Sequence, residues 1–201
     1  MKNVTLFLFI LALFSSNALA LKKILFLGDS LTEGYMLDES LSYPALIEKK
    51  LKKYKSEIKV LNGGVSGSTT ASGISRLKWF LKAKPDLLVL ALGANDGLRG
   101  LSLKSSYENL KNIILLAKKN NIKILLCGMK MPPNYGEKYE KGFKENYKKL
   151  QKEYDLIFYP FLLEGVAGVQ KLNLDDGIHP NQKGYEVIAN NLYILIRKEF
   201  L

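Results

Sequence analysis

Five short apolar runs punctuate the chain: KILFLG at 23–28, IKVLNG at 58–63, DLLVLALG at 86–93, IKILLCG at 122–128 and a weaker DLIFYP at 155–160. A strand wetted on one face alternates apolar and polar residues. A near-continuous apolar run instead suits a strand buried on both faces, as in a parallel sheet. Amphipathic stretches separate the runs. Ile47, Leu51 and Tyr54 recur at helical spacing, as do Ile74, Leu77 and Leu81. Further stripes are Leu110, Ile113, Ile114 and Ala117; Phe143, Tyr147, Leu150 and Tyr154; and Tyr185, Ile188, Ala189, Leu192 and Ile196. Strand–helix alternation of this kind predicts an α/β protein with a parallel sheet and helices on both faces, a three-layer α/β/α sandwich. With 201 residues, 47% of them apolar, and no repeat or linker, the chain suits one domain.

The first twenty residues, MKNVTLFLFILALFSSNALA, stand apart from this pattern. Lys2, an apolar stretch from Val4 to Phe14 and the small-residue site Ala18-Leu19-Ala20 read as a signal peptide over 1–20, leaving a domain over 21–201. The stretch is far short of the roughly 20 apolar residues that a spanning helix needs. Leu21 stands where a lipid anchor would want a cysteine. The expectation is an exported protein, periplasmic or secreted, with no stable membrane anchor.

Cys127 is the one cysteine, which excludes an intrachain disulfide and a two-cysteine metal site. Within IKILLCGM it reads as a buried strand residue. The net charge of +11 invites a nucleic-acid reading. Yet arginine supplies only Arg76, Arg99 and Arg197, and the lysines are scattered over the polar faces of expected helices, so no nucleic-acid partner is expected.

In an open α/β sheet, ligands bind beyond the carboxyl ends of the strands. GDSLTEG, NGGVSGSTT, LGANDGLRG and MKMPPNYGEKY fall there, and LDDGIHPN precedes the last helix. Acid–base chemistry by histidine falls to His179, the sole histidine. Asp176, three residues earlier, can hold one ring nitrogen and support an imidazolium, and Asn181 reads as the cap of the last helix. Ser30 is followed two residues on by Thr32, so this is not a Gly-x-Ser-x-Gly elbow. Glu33 lies at capping-box spacing from Ser30, so a helix cap and a nucleophile both fit the serine. Either way, its amide at a strand-to-helix turn can face an oxyanion. Gly67 can offer a bare backbone N–H, although ordinary loop flexibility explains a lone glycine more readily, and Asn95 can offer a side-chain amide, with a turn residue as its rival reading.

Gly-Asp-Ser-Leu, Gly67, Gly-x-Asn-Asp and Asp-x-x-His occur in an order that resembles the SGNH, or GDSL, hydrolases over essentially the whole mature chain. LGANDGLRG, MPPNYG and DDGIHPN look like the exported branch of arylesterases, thioesterases and lysophospholipases of the thioesterase I type. The resemblance implies a flavodoxin-like five-stranded sheet in the order 2-1-3-4-5. It implies Ser30 as nucleophile, His179 as base and Asp176 as its orienting acid. The oxyanion donors it implies are the Ser30 and Gly67 amides and the Asn95 side chain. Asp29 takes a supporting role. No metal or cofactor is implied.

The expected function is hydrolysis of acyl esters or thioesters, a small-molecule substrate, through an acyl-enzyme on Ser30 in a monomer. A carbohydrate O-deacetylase on the same fold and a non-catalytic flavodoxin-like binding domain are the rivals. Aliphatic residues around the site favour acyl chains; Leu98, Arg99 and Tyr135 are the candidate substrate-binding residues. Protein recovered from the exported fraction should begin at Leu21 on N-terminal sequencing; an intact Met1 in membranes would indicate an anchor instead.

Overall fold

The computed structural model describes residues 21–54 and 57–201; the signal peptide expected over 1–20 lies outside the described residues. Five strands form one parallel sheet in the order β2-β1-β3-β4-β5. They are β1 (Lys22–Gly28), β2 (Ile58–Gly64), β3 (Leu87–Ala91), β4 (Lys123–Cys127) and β5 (Ile157–Tyr159). The helices are α1 (Ser30–Glu33), α2 (Tyr43–Tyr54), α3 (Gly73–Phe80), α4 (Ala94–Leu98), α5 (Leu103–Lys119), α6 (Glu137–Tyr154) and α7 (Gln182–Phe200). α2 packs on α7, and α3 and α6 each pack on α5, which gives the three layers.

The apolar runs behave as their patterning requires. Ile24 through Leu27 and Leu87 through Ala91 are fully buried in the central strands β1 and β3. The outer strands β2 and β5 are only partly covered. Cys127 is buried at the end of β4, and burial pushes its thiol pKa up, which makes it inert. Each helical stripe packs on the core except at Tyr54. Tyr54, in the last turn of α2, is exposed and stacks under Arg197, 4.7 Å from its ring centre. Leu81 lies beyond α3 in a 3₁₀ turn and is half-buried. Among the described residues, no helix is long and apolar enough to cross a membrane.

The carboxyl ends of β1 and β2 meet at close quarters. A Cβ added to Gly64 would stand 2.1 Å from the Glu33 nitrogen and 2.6 Å from the Glu33 Cα, both backbone atoms. Only glycine lets α1 lie directly on the end of β2. Gly64→Ala should therefore cost about 1–3 kcal/mol, read as a lowered denaturation midpoint with an unchanged m-value. An unaltered midpoint would contradict this contact.

Candidate active site

The turn after β1 removes the cap reading of Ser30. Asp29, not Ser30, caps α1: its Oδ1 accepts the Leu31 N–H at 3.0 Å. Ser30 is the first helical residue, and its hydroxyl is free to turn outward. Glu33 does not fold back as a capping box would; its carboxylate reaches across to Ser66.

The Ser30 Oγ lies 2.9 Å from His179 Nε2, a contact spanning 149 residues of sequence. His179 Nδ1 lies 2.7 Å from Asp176 Oδ2. The loop that carries both residues is braced from within. The Leu174 N–H donates to the His179 carbonyl at 2.7 Å, and Gly177 supplies a left-handed turn residue (φ 68°). Asn181 caps α7 through the Gly184 N–H and donates its amide to the Lys171 and Asn173 carbonyls. Asp176 Oδ1 accepts the Ile178 and His179 amides, each at 2.9 Å. Burial works against the Asp176 charge, but hydrogen bonds from the His179 amide, the His179 ring and the Ile178 amide outweigh it and hold the carboxyl at about 2. Asp176 is therefore ionised at neutral pH and fixes the Nδ1 proton toward itself, leaving Nε2 to face Ser30.

The remaining site residues named from the sequence lie on the loops after β2, β3 and β4. The Ser30 and Gly67 amides have no hydrogen-bond acceptor among the described residues. Asn95 donates one amide hydrogen to the Ser68 carbonyl at 3.0 Å, which leaves the other for a ligand. Arg99 Nη2 donates to the Gly67 carbonyl at 3.0 Å, and the Tyr135 hydroxyl donates to the Leu98 carbonyl at 3.0 Å. Leu98, Arg99 and Tyr135 are thus joined to one another or to the Gly67 loop. Met129, Leu162 and Val166, on the segments after β4 and β5, are core. Leu101 is exposed at the rim.

Several residues that shape the site were given no role from the sequence. The Tyr35 ring lies 4.3 Å from the His179 ring and also lines a cleft of about 580 Å³ with Glu33, Met36 and Ser66. Buried Asp96 accepts the Thr70 amide at 2.8 Å and the Thr70 and Ser106 hydroxyls. It ties the Gly67 loop to the Asn95 helix and to α5. Arg76 Nη2 donates to the Gly28 carbonyl at 2.9 Å and also to the Gly63 carbonyl, bridging β1 and β2 just below the site. Asp96 stands beside a candidate residue in GAND, which was the one available hint. Arg76 sits on a helix face and gave none. Among the described residues, no group of three or more His, Cys, Asp or Glu side chains is placed to hold a metal ion.

A serine hydroxyl, an imidazole and a carboxylate linked in a row at the carboxyl edge of a doubly wound sheet define a class of α/β proteins built for acyl chemistry. The model of the GDSL-like Lipase/Acylhydrolase family matches residues 26–187, and the chain belongs to that family. It is 38% identical to the arylesterase of Vibrio mimicus over 87% of this chain and 88% of that one. It is likewise 38% identical to the thioesterase 1/protease 1/lysophospholipase L1 of Escherichia coli K12, over 92% of this chain and 87% of that one. The crystal structure of the psychrotrophic esterase EstA from Pseudoalteromonas, inhibited by monoethylphosphonate, superposes with a TM-score of 0.84 at 30% identity, covering 88% of this chain and 97% of that one.

Asp29 gives the site a measurable electrostatic signature. It is fully buried, and its Oδ2 has no partner among the described residues. Burial lifts its pKa from 3.8 to about 6, against the opposing pull of the Leu31 amide, its own amide, His179 and Arg76. An unfolded aspartate releases its proton near 3.8, so between these values the folded state holds the extra proton. Stability therefore falls as pH rises from about 4 to about 6 and stays at the lower level above that. The gap corresponds to about 3 kcal/mol. Asp29→Asn should gain about 2–3 kcal/mol relative to the parent between pH 4 and pH 7, measured by urea unfolding at both pH values. A difference independent of pH would show that Asp29 does not titrate in this range.

Proposed function

We propose that this protein is an exported serine hydrolase that cleaves acyl esters and thioesters through an acyl-enzyme on Ser30. The observation that carries the reading is the unbroken row Ser30 Oγ–His179–Asp176, at 2.9 and 2.7 Å, from two distant parts of the chain. Family membership and relatives named arylesterase and thioesterase 1/lysophospholipase L1 support it.

Ser30 attacks the carbonyl while His179 Nε2 takes its proton. Asp176 stabilises the imidazolium that forms. The carbonyl oxygen, now an anion, draws on the Ser30 and Gly67 amides and the free hydrogen of the Asn95 amide. His179 then protonates the leaving alcohol or thiol, and the acyl group stays on Ser30. Water, deprotonated by the same imidazole, releases the acid. Every group in this cycle belongs to one chain, which suits a monomer as the working unit. The acyl chain runs along Leu98, Arg99 and Tyr135, with Leu101 at the rim. The two leucines give this path an apolar side that favours fatty acyl groups over acetylated sugars. The exposed Trp79 lies on α3 rather than on the loops that carry the catalytic row.

Ser30→Ala should abolish labelling by a fluorophosphonate probe and hydrolysis of p-nitrophenyl esters. Asn95→Ala should lower kcat by about 10²–10³ with little change in KM. Across esters of rising chain length, kcat/KM should climb, each buried CH₂ adding up to about 0.8 kcal/mol. A steady fall from acetyl onward, with acetate released from a polysaccharide, would favour the deacetylase.

A further inference from the structure

The donor at Gly67 belongs to the Ser66–Gly67 peptide, and that peptide has an anchor on each side. Downstream, Arg99 holds the Gly67 carbonyl, and Asn95 holds the Ser68 carbonyl. Upstream, a single oxygen, Glu33 Oε2, accepts both the Ser66 N–H at 2.8 Å and the Ser66 hydroxyl. Glu33 stands in the same four-residue helix as Ser30, with its own N–H on the Asp29 carbonyl at 3.0 Å. One turn of helix therefore carries the nucleophile on one side and a grip on the facing loop on the other. Gly67 has φ +74° within a turn closed by Ser68 N–H and Val65 C=O. Glycine moves between such conformations readily, so the aim of its N–H depends on what holds the flanking atoms.

We propose that Glu33 is a positioning residue for the oxyanion site, holding the Ser66–Gly67 peptide so that the Gly67 N–H stays aimed at the charge that develops above Ser30. The proposal rests on Ser30 and Gly67 acting as oxyanion donors. The carboxylate matches the task. A charge-assisted bond to an amide is stronger than a neutral one, and a two-pronged bond through one oxygen fixes Ser66 in direction as well as distance. Donors aimed in advance lower the barrier because they need no reorganisation when charge develops. The clamp should therefore act on kcat, since the ground-state carbonyl carries little charge. Glu33 is exposed, so the fold does not depend on its burial.

Steady-state hydrolysis of a p-nitrophenyl ester by the purified mature chain tests this. Glu33→Ala should lower kcat by about 5- to 30-fold, part of the cost of losing a donor outright, with KM within about twofold and the melting temperature little changed. Glu33→Gln keeps an acceptor oxygen for both Ser66 groups and should recover most of kcat. Adding Ser66→Ala to Glu33→Ala should cost little more, because the two act through one contact. Glu39→Gln, on the wall of the same cleft, should match the parent. The rate of fluorophosphonate labelling at Ser30 should fall in step with kcat, since the phosphonyl oxygen uses the same donors. The clamp is overturned if Glu33→Ala keeps kcat within twofold, if its loss lies in KM, or if Glu33→Gln is no better. In each of these cases the catalytic reading stands so long as Ser30→Ala is inactive. If Ser30→Ala and Asn95→Ala both hydrolyse the ester at the parent rate, the site itself has been misread and the clamp falls with it.

Discussion

All of the early amides of α1 except one end on Asp29. The Leu31 N–H goes to its carboxylate, and the Thr32 and Glu33 N–H groups go to its carbonyl at 3.1 and 3.0 Å. The exception is the Ser30 amide, which is left facing outward. A helix of four residues cannot stand by itself, so it is held from below as well. Tyr43 and Thr32 share a buried hydroxyl contact at 2.7 Å, and the Tyr185 hydroxyl reaches the Ser30 carbonyl at 3.4 Å. α2 and α7, the helices that carry these tyrosines, thus support Ser30 through two phenols that stack 6.3 Å apart.

The other loops follow the same logic, in which a polar side chain from one element satisfies the backbone of another. Asp96 serves Thr70, Tyr147 serves the Leu92 carbonyl at 2.8 Å, and Tyr139 serves the Leu101 carbonyl at 2.8 Å. Loops at the end of a sheet have no ladder partners of their own. Buried or half-buried groups there need satisfaction from side chains, and each bond so made also removes a degree of freedom from the site.

How much of this the sequence discloses depends on how far each determinant reaches along the chain. Continuous apolar runs announced all five strands, because burial on both faces leaves a local mark. The strand order did not follow from the alternation and rested on the resemblance. The stripe through Ile47 and Leu51 failed at Tyr54, since the last turn of α2 no longer faces the core and a distant arginine covers it. Capping-box spacing could not tell whether Ser30 was a cap; in the structure Asp29 caps α1 and the Ser30 hydroxyl meets His179 instead. Nor could spacing reveal Glu33 on Ser66 or Arg76 on Gly63. Those partners meet only because β1 and β2 are neighbours, and no periodicity encodes that.

The last turn of α7 closes over the opposite edge of the sheet. There the Phe200 ring receives Lys22 at 5.8 Å and Lys123 at 5.9 Å, the first residues of β1 and β4. Parallel strands give the sheet a polarity, so this edge and the edge that carries Ser30 and His179 lie a full strand length apart. A tag, carrier domain or solid support joined after Leu201 would leave from the far side. Tethered that way, the protein would present its open mouth to the medium.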